Sequence, residues 1–422
     1  MRWLQQRADS VVILGPVAAM RPGIPVPKPR WFAILAAVLL TLCGVPSIPA
    51  PAQPVRAGDV LGAEPSRFSL DPFGKTPVPG VRATKITYRS RDALNRPIEV
   101  TGTVLVPEKP WRGTGPRPLI GYASGTKGWV DRCAPSRQLP QGIDYNGPQL
   151  AALLAHGWAV TMTDYEGLGH GGEHTWQVAD SEAHTVLDSV RAAQRLPGSG
   201  LGWQTPVGIY GYSQGGGAAA AVAEQAASYA PELVIKGVSA GGVPSDWNVH
   251  LNTYQAGRLT TGTAVMVGAG FAHAYPELKF GRYLSERGRK LYDFLRSRCL
   301  AQPDSFLALL GTADGKVNRF FGAVDPFRTG PWLRRFAENR IGDRRPPMPV
   351  LLFHGAQDEI VPVDMARTLR RDWCARGANI TWQEYPMVEH ILAFELNTPA
   401  SIDFLDRRFR NVATGGNCGT GR

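Results

Sequence analysis

The sequence predicts an α/β fold, a mostly parallel central sheet flanked by helices and carrying an inserted helical segment. Three observations predict it. Short runs rich in apolar residues recur at 118–122, 158–163, 207–211, 235–239 and 349–355, with helix-like stretches between several of them. Strands that are apolar along their length, alternating with helices, belong to a parallel sheet covered on both faces. That rhythm stops between about Pro244 and Arg345, where helix-like pieces are punctuated by Pro303, Pro326 and Pro331. Finally, one strand–helix junction carries Gly211-Tyr212-Ser213-Gln214-Gly215, a G-x-S-x-G pattern.

The elements follow in order. Lys28 and Arg30 precede the apolar run Trp31 to Cys43, then Pro-rich residues and Ala50-Pro51-Ala52. A basic region, a short apolar core and a small-x-small site read as a secretory signal over residues 1–52, cleaved after Ala52. The run is short for a membrane span. An uncleaved signal would instead hold the protein at the cell surface. Residues 53–80, rich in Pro and Gly, read as an extended arm. Ile86-Thr87-Tyr88 and 98–106 read as an antiparallel pair, the second with β-branched alternation. Strand Pro118–Tyr122 opens the parallel part, followed by strand Trp158–Thr163 and a helix over 181–195, with Ala183, Val186, Leu187, Val190 and Ala193 on one face. Strand Val207–Gly211, an Ala-rich helix over 217–230 and strand Ile235–Ser239 come next. In the insertion, 280–300, 305–310 and 317–324 read as helical. Strand 349–355, a helix over 363–376, strand 380–385 and a last helix over 399–409 complete the core. The expected domains are therefore a core of 53–244 and 346–422 with an insertion at 245–345.

Removing residues 1–52 removes five Lys/Arg and one Asp and takes the formal net charge from +11 to +7. The excess is read as a solvated surface that tolerates anionic interfaces. No basic run is dense enough for nucleic acid. Four cysteines remain, Cys133, Cys299, Cys374 and Cys418. In an exported chain they suggest two disulfides, with three pairings open. None has CxxC spacing, and no His/Asp/Glu cluster shows metal spacing, so neither a metal nor a cofactor is expected.

Chemistry concentrates on Ser213. A strand before and a helix after this serine can hold its hydroxyl clear of the sheet end, and the flanking glycines leave room for the turn. The N–H of Gln214 can donate to the oxyanion of a tetrahedral intermediate. A serine nucleophile needs a base, and the base an orienting carboxylate. Four histidines follow it: His250, His273, His354 and His390. The first two fall in the insertion, and His354 precedes the best acid. His390, in the loop after the last strand, is the expected base. Asp358, just past a strand end, is the expected acid, with Glu359 and Asp364 as competitors. A second oxyanion donor is expected from the loop Ala123–Gly128, at Gly125 or Thr126. Asp164–Gly169 reads as a structural turn near the site mouth.

Together, Gly211–Gly216, Cys133-Ala134-Pro135-Ser136, Asp358–Pro362, Cys374–Ile380 and Glu389-His390 resemble the secretory lipase family of the lipase A type. The resemblance runs from about residue 70 to 418. It implies the α/β-hydrolase fold with a helical cap, a Ser213–Asp358–His390 triad, lipase or esterase activity, and no cofactor. It also implies that Cys133 pairs with Cys299 and Cys374 with Cys418. The sequence departs from fungal members in two places. Their acidic oxyanion-hole residue has no counterpart in Ser124–Trp129, and the sequence runs four residues past Cys418, which leads to the expectation of a site without their C-terminal flap.

The functional expectation is a secreted serine hydrolase of carboxylic esters, foremost a triacylglycerol lipase making transient contact with lipid interfaces. Phe280, Tyr283, Leu284, Phe306, Leu309, Leu310, Phe320 and Phe321 are expected either to line an acyl tunnel or to form the cap's own core. A short-chain carboxylesterase, a serine peptidase and a non-catalytic hydrolase-like binding protein are the alternatives.

Overall fold

The computed structural model describes residues 56–419 apart from 74, 255–261, 301, 311 and 313–316. The expected signal segment and its cleavage site lie outside the described residues. Nine strands form one sheet: β1 (Val60–Ser66), β2 (Val81–Arg91), β3 (Pro97–Pro107), β4 (Leu119–Ala123), β5 (Ala159–Thr163), β6 (Val207–Tyr212), β7 (Ile235–Gly241), β8 (Val350–Gly355) and β9 (Ile380–Tyr385). Their spatial order is β1-β2-β3-β5-β4-β6-β7-β8-β9. The first three pairings are antiparallel and the rest parallel. The helices are α1 (Pro135–Gln138), α2 (Gly147–Ala155), α3 (Ala179–Arg195), α4 (Gln214–Tyr229), α5 (Trp247–Tyr254), α6 (Thr263–Ala274), α7 (Glu286–Leu295), α8 (Pro303–Leu310), α9 (Gly330–Glu338), α10 (Val363–Ala375) and α11 (His390–Phe409).

Side-chain alternation along each strand feeds two cores. Leu119, Val207, Ile209, Val238 and Leu352 join Val186, Val190, Val222 and Trp373 on one face. Ile120, Tyr122, Tyr210, Leu351 and Phe353 join Leu150, Trp158, Phe394 and Leu405 on the other. Between β7 and β8 every helix or strand among the described residues is helical, and this segment has its own aromatic core around Phe271, Phe280, Phe327, Trp332 and Phe336.

Three departures from expectation have physical reasons. Val60–Ser66, read as part of an arm, is an edge strand antiparallel to β2. Its exposed side chains give no apolar signal, so backbone pairing alone defines it. The last helix starts at His390 rather than 399, because Pro399 sits inside it. Proline forfeits one backbone bond there, and burial of Ala393, Phe394, Phe404 and Leu405 holds the helix together. The expected 280–300 helix is broken at Ser285, whose side chain caps α7 by accepting from Gly288 N.

Two disulfides close large loops. Cys133–Cys299 spans 166 residues and links the segment after β4 to the helical insertion, and Cys374–Cys418 spans 44 and pins the C-terminal tail to α10. Removing the first with Cys133→Ser/Cys299→Ser is expected to cost about 5 kcal/mol, as a chain-entropy estimate for so long a loop. A matching drop in the urea midpoint of the double variant, and a smaller one on losing the second bridge, checks this.

Candidate active site

The sheet topology selects the place. From β4 the chain moves to β5 on one side, then returns to β6 on the other. Ligands of open α/β sheets bind where strand order reverses, outside the carboxyl ends of the strands. Here that crevice lies between the loops leaving β4 and β6, which are Ser124–Gly128 and Ser213.

Ser213 has φ 60 and ψ −120, a conformation an L-residue rarely takes. The surroundings impose it. A Cβ on Gly211 would lie 2.0 Å from Gly215 O, one on Gly215 2.0 Å from Ala123 O, and one on Gly216 1.9 Å from Gly241 O. The three glycines thus let the turn, the start of α4 and the end of β4 close on one another. Ser213 N donates to Gly241 O at 3.0 Å. α4 begins at Gln214, so its first N–H groups have no intrahelical partner.

His390 opens α11, and Asp358 follows β8. His390 Nδ1–H donates to Asp358 Oδ2 at 2.6 Å, and both residues are buried. Asp358 Oδ1 accepts from Ile360 N at 2.9 Å and Val361 N at 2.7 Å. Burial works against the charged carboxylate, but His390 and His354 hold Asp358 well below the usual carboxylate range. Burial also disfavours the His390 cation, and Asp358 overrides it, raising the imidazole above its ordinary value. Tyr212, adjacent to Ser213, donates its hydroxyl to His390 O at 2.5 Å and sets its ring 5.0 Å from the imidazole. His390 is thereby fastened to the Ser213 turn. Among the described residues no hydrogen bond joins Ser213 Oγ to His390, a contact that in free hydrolases often tightens only with substrate.

The other acids and histidines make different contacts. Glu359 Oε2 accepts from His390 N at 3.2 Å, and Asp364 is exposed and paired with Arg367 at 2.9 Å. His250 packs edge-on against Trp247, and His273 lies 4.0 Å from Glu173. His354 is a residue the sequence reading set aside. Its Nε2 faces both Val361 O at 2.9 Å and Asp358 Oδ2 at 3.1 Å, so it carries a proton there and is a second donor to the acid. Its spacing of four from Asp358 was the only available signal. Asp164 is buried and accepts from Thr101 Oγ1 at 2.6 Å, Ser136 N at 2.8 Å and Ser136 Oγ, all structural contacts.

The β4 loop lies against the turn: a Cβ on Gly125 would be 3.5 Å from Tyr212 O and 2.6 Å from the Tyr145 hydroxyl. Tyr145 OH donates to Thr126 O at 2.9 Å, and Trp176 Nε1 to Thr126 Oγ1 at 3.1 Å. Lys127 is buried, paired with Asp144 at 2.6 Å and Asn146 at 2.8 Å. Phe280, Leu284, Phe320 and Phe321 pack in the core of the helical insertion, with Tyr283 against it. The side chains of Phe306, Leu309 and Leu310 lie outside the described residues. Among the described residues no group of three His, Cys, Asp or Glu could hold a metal ion.

Burial holds the Glu182 carboxyl up at about 8 against its backbone and Gln214 donors. The native protein therefore binds this proton more tightly than the unfolded chain. The resulting stability is full below about 4.5 and is lost as pH rises through about 8. Urea midpoints are expected to fall across that window in the wild type and to fall less in Glu182→Gln.

The chain matches the secretory lipase family over residues 139–417. It is 29% identical over 371 residues to a probable inactive lipase of Mycobacterium tuberculosis (strain CDC 1551 / Oshkosh), covering 86% of this chain and 80% of that one. It is also 29% identical over 356 residues to a secreted triacylglycerol lipase of Malassezia furfur, covering 80% and 73%. In fold it is similar to Candida antarctica lipase A in its closed state, with TM-score 0.74, 24% identity and coverage of 87% and 85%. The rice cell wall degrading esterase LipA of Xanthomonas oryzae is also similar in fold, with TM-score 0.68, 20% identity and coverage of 85% and 100%. The chain belongs to the secretory lipase family, on an α/β-hydrolase fold, and is a carboxylic ester hydrolase.

Proposed function

We propose that the protein is a secreted triacylglycerol lipase working through an acyl-enzyme on Ser213. The observation that carries this reading is the buried His390–Asp358 pair fastened through Tyr212 to the strained Ser213 turn. His390 takes the Ser213 proton as the hydroxyl attacks the ester carbonyl, and returns it to the leaving alcohol. Asp358 holds the imidazole tautomer and stabilises the imidazolium. The N–H of Gln214 and an amide of Gly125 or Thr126 receive the oxyanion. Water then repeats the sequence on the acyl-enzyme. The 245–345 segment serves as a cap, and residues 1–52 as the export signal. No described helix is long and apolar enough to cross a membrane.

His390 must be neutral to act as base, and Asp358 raises it. The acid limb of kcat/KM is therefore expected to lie above the ordinary histidine value, with activity lost as pH falls through it. A kcat/KM profile on a soluble ester checks this. An acid limb at or below the ordinary value counts against the pairing.

One observation favours a short-chain carboxylesterase: the aromatics expected in an acyl tunnel pack among themselves. Rates on p-nitrophenyl esters of rising chain length decide. Use of medium or long acyl chains supports the lipase, and activity confined to acetate supports the esterase.

A further inference from the structure

Residues His174 to Gln177, between β5 and α3, touch both halves of the oxyanion site. His174 Nδ1–H donates to Glu166 O at 2.8 Å, which leaves Nε2 as an acceptor. That acceptor takes one hydrogen of the Gln214 side-chain amide at 2.9 Å. The other hydrogen goes to Glu182 Oε1 at 2.7 Å. Glu182 Oε1 also accepts from Gln177 N at 2.9 Å. Gln177 has φ 65, a left-handed conformation a glutamine adopts only when its surroundings enforce it. The same segment also reaches the β4 loop. Trp176 Nε1 donates to Thr126 Oγ1 at 3.1 Å, and the His174 ring stacks on Tyr165, whose hydroxyl donates to Ser124 O at 2.9 Å. His174, Glu182, Gln214 and Trp176 are all buried.

This arrangement exceeds what packing needs. Burying a carboxyl, an imidazole and a primary amide is costly unless each is satisfied. An apolar cluster would fill the same space without that cost. What the polar network adds is direction: it fixes the Gln214 side chain at the head of α4 and the Thr126 side chain in the β4 loop relative to one strap.

We propose that the His174–Gln177 strap, anchored by Glu182, is the positioning device that sets the spacing between the two oxyanion donors, the Gln214 backbone N–H, positioned through its own side chain, and an amide of the Gly125–Thr126 loop. None of these strap residues touches substrate. They act through Gln214 and Thr126, and the proposal rests on the oxyanion-hole reading given above. A donor aimed at developing charge loses its effect when it moves by a fraction of an ångström, so loosening the strap weakens transition-state binding while leaving ground-state binding in place.

The experiment compares Glu182→Ala, Glu182→Gln, Trp176→Phe and His174→Ala with the wild type. It measures kcat and KM on p-nitrophenyl butyrate and the inhibition constant of an alkylboronic acid, whose adduct with serine is tetrahedral. Thermal melts establish that each variant is folded. The expected result is a kcat about 10–100-fold lower in Glu182→Ala and His174→Ala, below the loss from deleting an oxyanion donor outright. KM should stay within about 3-fold, and boronate affinity should fall in step with kcat/KM. Trp176→Phe keeps an aromatic side chain but removes the Thr126 bond together with part of the packing on Trp129 and Trp247, and should lose about 10-fold. Glu182→Gln keeps the acceptor and should restore most of the rate. Folded variants with wild-type kcat and boronate affinity overturn the proposal, as does a Glu182→Gln variant as slow as Glu182→Ala. If Glu182→Ala does not fold, Trp176→Phe and His174→Ala decide. Failure of the underlying reading looks different: a wild-type enzyme whose Ser213 forms no boronate adduct.

Discussion

Ser213→Ala is expected to lower kcat for ester hydrolysis by roughly 10⁴–10⁶-fold while leaving the fold intact. On the proposed mechanism the hydroxyl forms the covalent bond, and the alanine methyl cannot. The residual rate would come from the oxyanion donors and from binding. Stability should change little in the unfavourable direction. A serine at φ 60 and ψ −120 stores backbone strain that alanine keeps, and the glycine contacts that enforce the turn are untouched. Rates of purified wild type and variant on one soluble ester, with melting curves for both, check this. A folded Ser213→Ala enzyme within tenfold of wild type would remove the nucleophile assignment.

The second large effect is expected from Asp358→Asn, about 10⁴-fold in kcat. Asp358 receives four hydrogen bonds, two at Oδ1 from backbone amides and two at Oδ2 from His390 and His354. An asparagine keeps the shape but must present its amide hydrogens to one pair of donors. If the NH₂ faces His390, the imidazole carries its proton on Nε2 and cannot accept from Ser213. If it faces the backbone, two amides clash with it. The imidazolium formed in the transition state also loses its counter-charge. The acid limb of kcat/KM should move down as well, because the interaction that raises His390 is gone. Kinetics from pH 5 to 9 test both parts. Near-wild-type kcat in Asp358→Asn would show that another carboxylate, Glu359 first, orients the base.

Much of this was legible in the sequence, for reasons that also explain what was not. The parallel strands announce themselves because they are apolar on both faces, as in β4 and β6. β1 stays silent because pairing without burial leaves no pattern. Pro399 made the last helix read as starting nine residues late, because a proline's cost is visible in sequence and the packing that outweighs it is not. Ser213, Asp358 and His390 stand in the chain order usual for this fold, so motif and order together could nominate them as the candidate triad. His354 and the His174–Gln214–Glu182 network could not be found that way. Their partners are brought together by the sheet, and no spacing in the chain marks the contact between Gln214 and residues 32 and 40 positions away. The cysteine pairing was likewise open on the residues alone, and the resemblance supplied the pairing that the structure shows.

A relative of 29% identity is named a probable inactive lipase, so family membership by itself does not establish turnover on Ser213. The most direct measurement is the intact and peptide mass of the protein after reaction with a p-nitrophenyl alkylphosphonate. The account predicts one adduct per chain, on the peptide containing Ser213, with one equivalent of p-nitrophenol released and none in Ser213→Ala. No adduct on the folded wild type, or an adduct that persists in Ser213→Ala, would contradict it.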